Sequence, residues 1–122
     1  MSADNKAIAR RFYEEVWNRG NMTAADEILA DAEGVKQYVA AFRTAFPDIQ
    51  HKVEELIAER NRVVARFTAR GTHRGKWQGV AVTGRPISYT GITIFQFSGS
   101  QIVKHHTEWD SLGLLKQIGP VP

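Results

Sequence analysis

The stretch RPISYTGITIFQFSGSQIVKHHTEWD, residues 85–110, decides the fold. Its first half is rich in β-branched and aromatic residues, the composition of a pleated, half-buried strand. Side chains alternate between faces along a strand. Tyr89, Gly91, Thr93, Phe95 and Phe97 therefore share one face, and Ile92, Ile94 and Gln96 share the other. SGSQ reads as a turn, and IVKHHTEWD returns as the last strand. There Val103, His105, Thr107 and Trp109 are expected on one face, with Lys104, His106 and Glu108 opposite. The His105–His106 pair is thus no metal pair, because neighbours on a strand cannot chelate one ion side by side.

Upstream, the period of two continues. HKVEELIAE and RVVARFTARGTH read as two strands joined by a turn at residues 59–61. In the second, Val63, Ala65, Phe67 and Ala69 form an apolar face. Before Pro47 the period is helical. NKAIARRFYEEVWNRG spaces Ile8, Phe12 and Val16 four apart and ends at Gly20. NMTAADEILA gives a short helix, with Thr23 and Asp26 as a capping pair. EGVKQYVAAFRTAF carries Val35, Tyr38, Val39, Phe42 and Phe46 in one stripe, and Pro47 stops it. SLGLLKQIG closes the chain as a helical turn or short helix, with Asp110 as its N-cap. Three helices followed by a strand meander make an α+β fold, with helices on one face of an antiparallel sheet.

The totals agree with one domain over residues 1–122. The chain has 122 residues, 43% hydrophobic and 24% charged, enough to bury a core unaided. No cysteine is present, so disulfides and thiolate metal sites are excluded. No apolar run is long enough to span a bilayer, and the amino-terminal residues lack an apolar signal region, so no membrane association and a cytoplasmic location are expected. The formal charge of +3 comes from scattered basic residues without a single-sign stripe, which argues against a nucleic-acid partner.

RRFYEEVWNRGN, FRTAFPDI, ARGTHRGKWQGVAVTGRPI, TGITIFQF and QIVKHHTEWDSLGLLKQIG together resemble the SnoaL-like polyketide (ester) cyclases, members of the nuclear transport factor 2-like superfamily. The resemblance spans nearly the whole chain in order. It implies a cystatin-like roll: a cone-shaped curved antiparallel sheet covered by three N-terminal helices, enclosing a pocket open at one end. It also implies intramolecular aldol chemistry without metal or cofactor. In the characterised cyclases an aspartate on the last strand is the general acid/base, and a histidine on the preceding strand assists. Alignment puts these positions on Thr107 and Thr93. The family usually also carries a short strand and loop between its second and third helices, whereas ILADAEGVKQY runs almost directly from one to the other. Either the pocket is wider and trimmed, or a segment is missing.

A threonine hydroxyl is no proton-accepting base near neutral pH. His105, on the expected pocket face, and His73 in GTHRG, near the expected rim, are therefore the candidate proton-transfer residues. The ordinary alternatives are a hydrogen-bonded core histidine at 105 and a turn residue held by Gly71 and Gly75 at 73. Trp17, Phe67, Trp77, Tyr89, Thr93, Phe95, Thr107 and Trp109 are the candidate substrate-binding residues for an apolar or aromatic small molecule. Gly91 would leave room for that ligand, or mark a bulge. Ile92 and Ile94 on the opposite face need cover, and the resemblance implies a homodimer through that face. Three functional readings follow: a cyclase-type acid/base enzyme, a non-catalytic binder with the same pocket, or a dimeric scaffold with a filled core.

Overall fold

A computed structural model describes residues 2–119. Helix α1 (Ser2–Arg11) continues directly into a π-helical segment, Phe12–Trp17. Helices α2 (Met22–Ile28) and α3 (Glu33–Ala45) follow. Strands β1 (Gln50–Glu59), β2 (Arg62–Thr72), β3 (Pro86–Ser98) and β4 (Gln101–Trp109) form one antiparallel sheet in the order β1-β2-β3-β4, and α4 (Ser111–Ile118) ends the chain.

The π segment has a cause in the sequence. Asn5, Ala9, Tyr13 and Trp17 are spaced by four, and all are buried. In an α-helix such a series drifts about 40° per step away from the core. The wider i→i+5 turn winds the second half back, so Phe12, Tyr13, Val16 and Trp17 all stay inside. Gly20 follows at φ +65°, a conformation that side chains with a Cβ resist. Arg43 of α3 closes this end, its Nη1 donating to the carbonyls of Trp17 (2.7 Å) and Asn18 (3.0 Å).

The cap of α2 lies earlier than the sequence suggested. Asn21 is the N-cap, its Oδ1 accepting from the Ala24 amide at 3.1 Å, and Thr23 lies within the helix. An asparagine at this place does the same work as Thr23 would two residues later, so the Thr23–Asp26 pairing was a coincidence of spacing. Asp110 does cap α4, accepting from the Gly113 amide at 2.8 Å.

The first three strands keep the expected alternation, with inward residues Ala65, Phe67 and Ala69 of β2 facing Thr93, Gly91 and Tyr89 of β3. Phe95 and Val63 are fully buried, as are Phe46 and Val39 of the helical layer above them. Two strand ends are finished by side-chain amides. The Asn18 Nδ2 donates to the His51 carbonyl (2.9 Å) while its Oδ1 accepts from the His51 amide (2.6 Å). Gln117 does likewise with Ser88, at 2.7 and 2.8 Å. Each amide satisfies a backbone pair that has no neighbouring strand there.

In β4 one expectation fails. A register shift at Gln96/Phe97 makes Val103 an extra residue, so Ile102 faces Phe97 and Lys104 faces Gln96. Ile102 is consequently buried and Val103 is 47% exposed, the reverse of simple alternation. Beyond the bulge the phase recovers, and His105, Thr107 and Trp109 pair with Phe95, Thr93 and Gly91.

Only residues 29–32 separate α2 from α3. Leu29 forms a parallel bridge to Ile102, with the Ala30 amide donating to the Ile102 carbonyl at 3.0 Å. The link therefore touches β4 at one point and leaves residues 103–108 exposed.

Candidate functional site

A half-open cavity of about 550 Å³ lies between the helices and the inner face of the sheet. The π segment supplies Phe12, Tyr13 and Trp17, and α3 supplies Val35, Tyr38 and Phe42. From the sheet come His51, Phe67, Tyr89, His105, Thr107 and Trp109. Asp31 stands in the short α2–α3 link at the mouth. Tyr38 remains 44% exposed although it belongs to the apolar stripe of α3, because it faces open cavity rather than packed core.

Of the residues singled out in the sequence, Trp17, Phe67, Tyr89, His105, Thr107 and Trp109 lie along this cavity. Phe95 and Thr93 point inward but are fully buried behind the lining, with Phe12 stacked edge-on against Phe95 at 5.2 Å. Trp77 packs outside the cavity, its ring 4.7 Å from Phe42 and 5.8 Å from Phe46. The space beside Gly91 is not left for a ligand. A Cβ there would collide with the Phe67 ring and stand 2.9 Å from the Trp109 Cβ, so glycine lets two rings close over the backbone.

His73 is also elsewhere. It is completely buried under the segment that returns at residues 83–85, and does not border the cavity. Its Nδ1 accepts from the Thr83 amide (3.3 Å) and lies 2.9 Å from the Thr83 hydroxyl. Its backbone pairs with Arg85 and Gly84 at 2.9 and 2.8 Å. A strand-end position that looked like a rim is covered by the loop it anchors.

Three hydroxyls form a chain from the interior to the cavity. The Tyr13 hydroxyl lies 2.5 Å from the Thr93 Oγ1, which lies 2.8 Å from the Thr107 Oγ1. Burial raises the pKa of the Tyr13 phenol, and the bond to Thr93 opposes that only in part, so Tyr13 stays neutral. Beside Thr107 on the same face, the His105 imidazole has no hydrogen-bond partner among the described residues and leans on Phe12 at 6.0 Å. Desolvation lowers its pKa below the ordinary histidine value, so at pH 7 it presents a free lone pair.

His51 was missed by sequence reasoning. It is the second residue of β1, where a polar residue next to a turn reads as the wet end of a strand, yet it shares the inward face with Val53 and is only 6% exposed. Alternation carried back two positions from Val53 would have found it. Rings surround it: Trp17 at 4.8 Å, Phe67 at 5.1 Å and Tyr13 at 5.4 Å. Burial pushes its pKa down to about 3. Across the sheet's outer face, His106 and Glu108 pair at 3.1 Å in solvent. Among the described residues no group of three or more His, Asp or Glu side chains is arranged to hold a metal ion, and no helix is long and apolar enough to cross a membrane.

No curated protein sequence matches significantly. Among solved structures, AclR from Streptomyces galilaeus, a hydroxylase candidate, is 25% identical with a TM-score of 0.91, covering 100% of this chain and 85% of its own. A polyketide cyclase candidate from Acidithiobacillus ferrooxidans is 29% identical with a TM-score of 0.87, covering 97% and 96%. TsrD from Streptomyces laurentii shares the fold at a TM-score of 0.92 and 24% identity, covering 99% and 98%. The family model described as SnoaL-like polyketide cyclase matches residues 7–118, and with the curved sheet and its helical cover the chain belongs to that family, in the nuclear transport factor 2-like fold.

Proposed function

We propose that the protein is a cofactor-independent acid/base enzyme that closes a ring in a polyketide-like or aromatic substrate, with His105 as the proton-transfer group. One observation carries this: a neutral, unpaired imidazole stands beside a hydroxyl-chain terminus on the wall of a ring-lined cavity. His105 would take the proton from a carbon flanked by carbonyls, leaving an enolate whose oxygen accepts a hydrogen bond from the Thr107 hydroxyl. The enolate carbon then attacks a second carbonyl of the same molecule, and the imidazolium returns its proton to the new alkoxide. Thr107 thus serves as a donor where the family has an acid, and Tyr13 and Thr93 orient it. A general base of this kind contributes about 10²- to 10⁴-fold. Turnover of a polyketide methyl ester should fall by that factor in His105→Ala. Absence of turnover in the unaltered protein, or turnover indifferent to the substitution, discards the proposal.

A second reading is a binder without chemistry. It is favoured by Thr93 and Thr107, which occupy both positions of the family's catalytic pair and are already hydrogen-bonded to each other. An aromatic ligand held tightly and recovered unchanged would support it. A cavity of this size argues against the third reading, a scaffold with a filled core.

The outer sheet face would form a homodimer. Ile57, Val64 and Ile94 stand in register across three strands, and Ile57, Ile94 and the neighbouring Ile92 are 56%, 44% and 46% exposed. Light scattering should give twice the 13.7 kDa chain mass, and a monodisperse monomer would refute this.

A further inference from the structure

The two edges of the sheet are finished differently. On β1 the N–H and C=O of His51 are both taken by the Asn18 side chain. On β4 the α2–α3 link reaches only Ile102, and residues 103–108 are exposed. The direction of each β4 backbone group beyond the bulge follows from the ladder. The Asp110 amide donates to the facing Thr90 carbonyl at 3.1 Å. Hydrogen-bonded and non-hydrogen-bonded pairs alternate along an antiparallel ladder, so Glu108, His106 and Lys104 also bond towards β3. The N–H and C=O of His105 and Thr107 therefore point out from the edge, where neither backbone has a partner among the described residues. An edge of this kind is a template for another strand.

The side chains say which strand fits. Lys104, His106 and Glu108 share the outer face, facing Gln96, Ile94 and Ile92 of β3. A lysine on an edge ordinarily discourages pairing. Under a two-fold axis through His106, Lys104 of each copy faces Glu108 of the other. Opposite charges placed so support an antiparallel ladder, whereas a parallel one in register would set like beside like. Among the described residues Lys104 has no ion-pair partner, and Glu108 has only the neighbouring His106, at 3.1 Å. The same axis sets His105 opposite Thr107, so the outward N–H and C=O of each meet those of the other copy. Backbone direction and charge agree on this register.

We propose that β4 pairs antiparallel with β4 of a second copy about His106, bringing the second copy's Thr107 beside His105 at the cavity wall. The pairing is isologous and closes on itself, so it gives a dimer and not a fibre. A contact of this length is small, so it forms at high protein concentration. It requires neither catalysis by His105 nor the outer-face contact, which would cover Ile92 and Ile94 and leave the edge amides free.

Amide hydrogen exchange followed by NMR on the full chain tests it, as the concentration is raised from micromolar to millimolar. The amides of His105 and Thr107 should slow about tenfold, while those of His106 and Glu108, already bonded to β3, should change far less. Rates at His105 and Thr107 that ignore concentration overturn the inference, whether or not the outer face associates. Glu108→Lys and Lys104→Glu each set like charges opposite one another, and each alone should associate about tenfold more weakly. Mixed in equal amounts they restore opposite charges, and protection of the two amides should return. Retained protection of the His106 amide reports that each variant is folded. A mixture no better protected than its components overturns the inference. Protection that comes with growing fibres overturns it too, since it marks open-ended pairing.

Discussion

Strands β3 and β4 are neighbours with the same inward phase, yet they lead opposite lives. Phe95 faces His105 and Thr93 faces Thr107 in direct register. On β3 both residues are completely buried, while on β4 their partners remain accessible. Alternation fixes which way a side chain points, but not what stands in front of it. The covering layer decides that. Rings of the π segment and α3 pack on β3, Phe12 on Phe95 and Phe42 on Tyr89, whereas the four-residue link between α2 and α3 reaches β4 only at Ile102. Packing occupies one strand and leaves the other open.

Cutting into each member of a register pair gives the largest expected contrast. Phe95→Ala should cost about 3–5 kcal/mol, as for other buried aromatic truncations. His105→Ala should change stability by no more than about 0.5 kcal/mol, because little packs on it. Urea unfolding of the two variants measures both, and equal costs would erase the distinction between the strands.

The two cavity histidines sharpen it further. In the folded protein His51 titrates at about 3, below the 6.5 of an unperturbed histidine. Below pH 6.5 the unfolded chain takes up a proton that the folded one refuses, so stability is intact above pH 6.5 and is lost as pH falls towards 3. The slope is about 1.4 kcal/mol per pH unit, or roughly 3 kcal/mol by pH 4.5. His105, lowered by partial desolvation, pulls in the same direction. Unfolding free energies at pH 7 and 4.5 should therefore draw together in His51→Phe, and an unchanged difference would mean that His51 is not the acid-sensitive group.

The smallest contrast lies between the threonines. Thr93→Val strips a buried Tyr13 hydroxyl of its partner and should cost about 1–3 kcal/mol. Thr107→Val leaves Thr93 bonded to Tyr13 and should stay within about 0.5 kcal/mol. Thermal or denaturant unfolding reads both, and a reversed order would place the strength of the hydroxyl chain at its outer end.

The sheet was legible because thirteen residues of β3 keep a strict period of two, with every inward position apolar, small or hydroxylated. The bulge in β4 was not, because Ile102 and Val103 are equally apolar and either could fill the inner place. His105 and Thr107 could be placed on a face by alternation alone. His51 could have been placed in the same way, but its polarity at a strand end disguised it. The positions of His73 and Trp77 depend on how residues 73–85 fold back against α3, where Arg74 and Gly75 donate to the Ala45 carbonyl at 2.9 and 3.0 Å. Contacts of that span leave no periodic trace. Nor does the π turn, which shows only as a buried series spaced by four.

A π turn holds one residue more than the α turn it replaces. The first helix thus carries a spare residue at the place where its rings meet the cavity. Deleting one residue between 12 and 17 would let the turn relax to α while the stretches on either side keep their seats, so the cavity wall can be refurnished by a change in length that the surrounding framework need not feel.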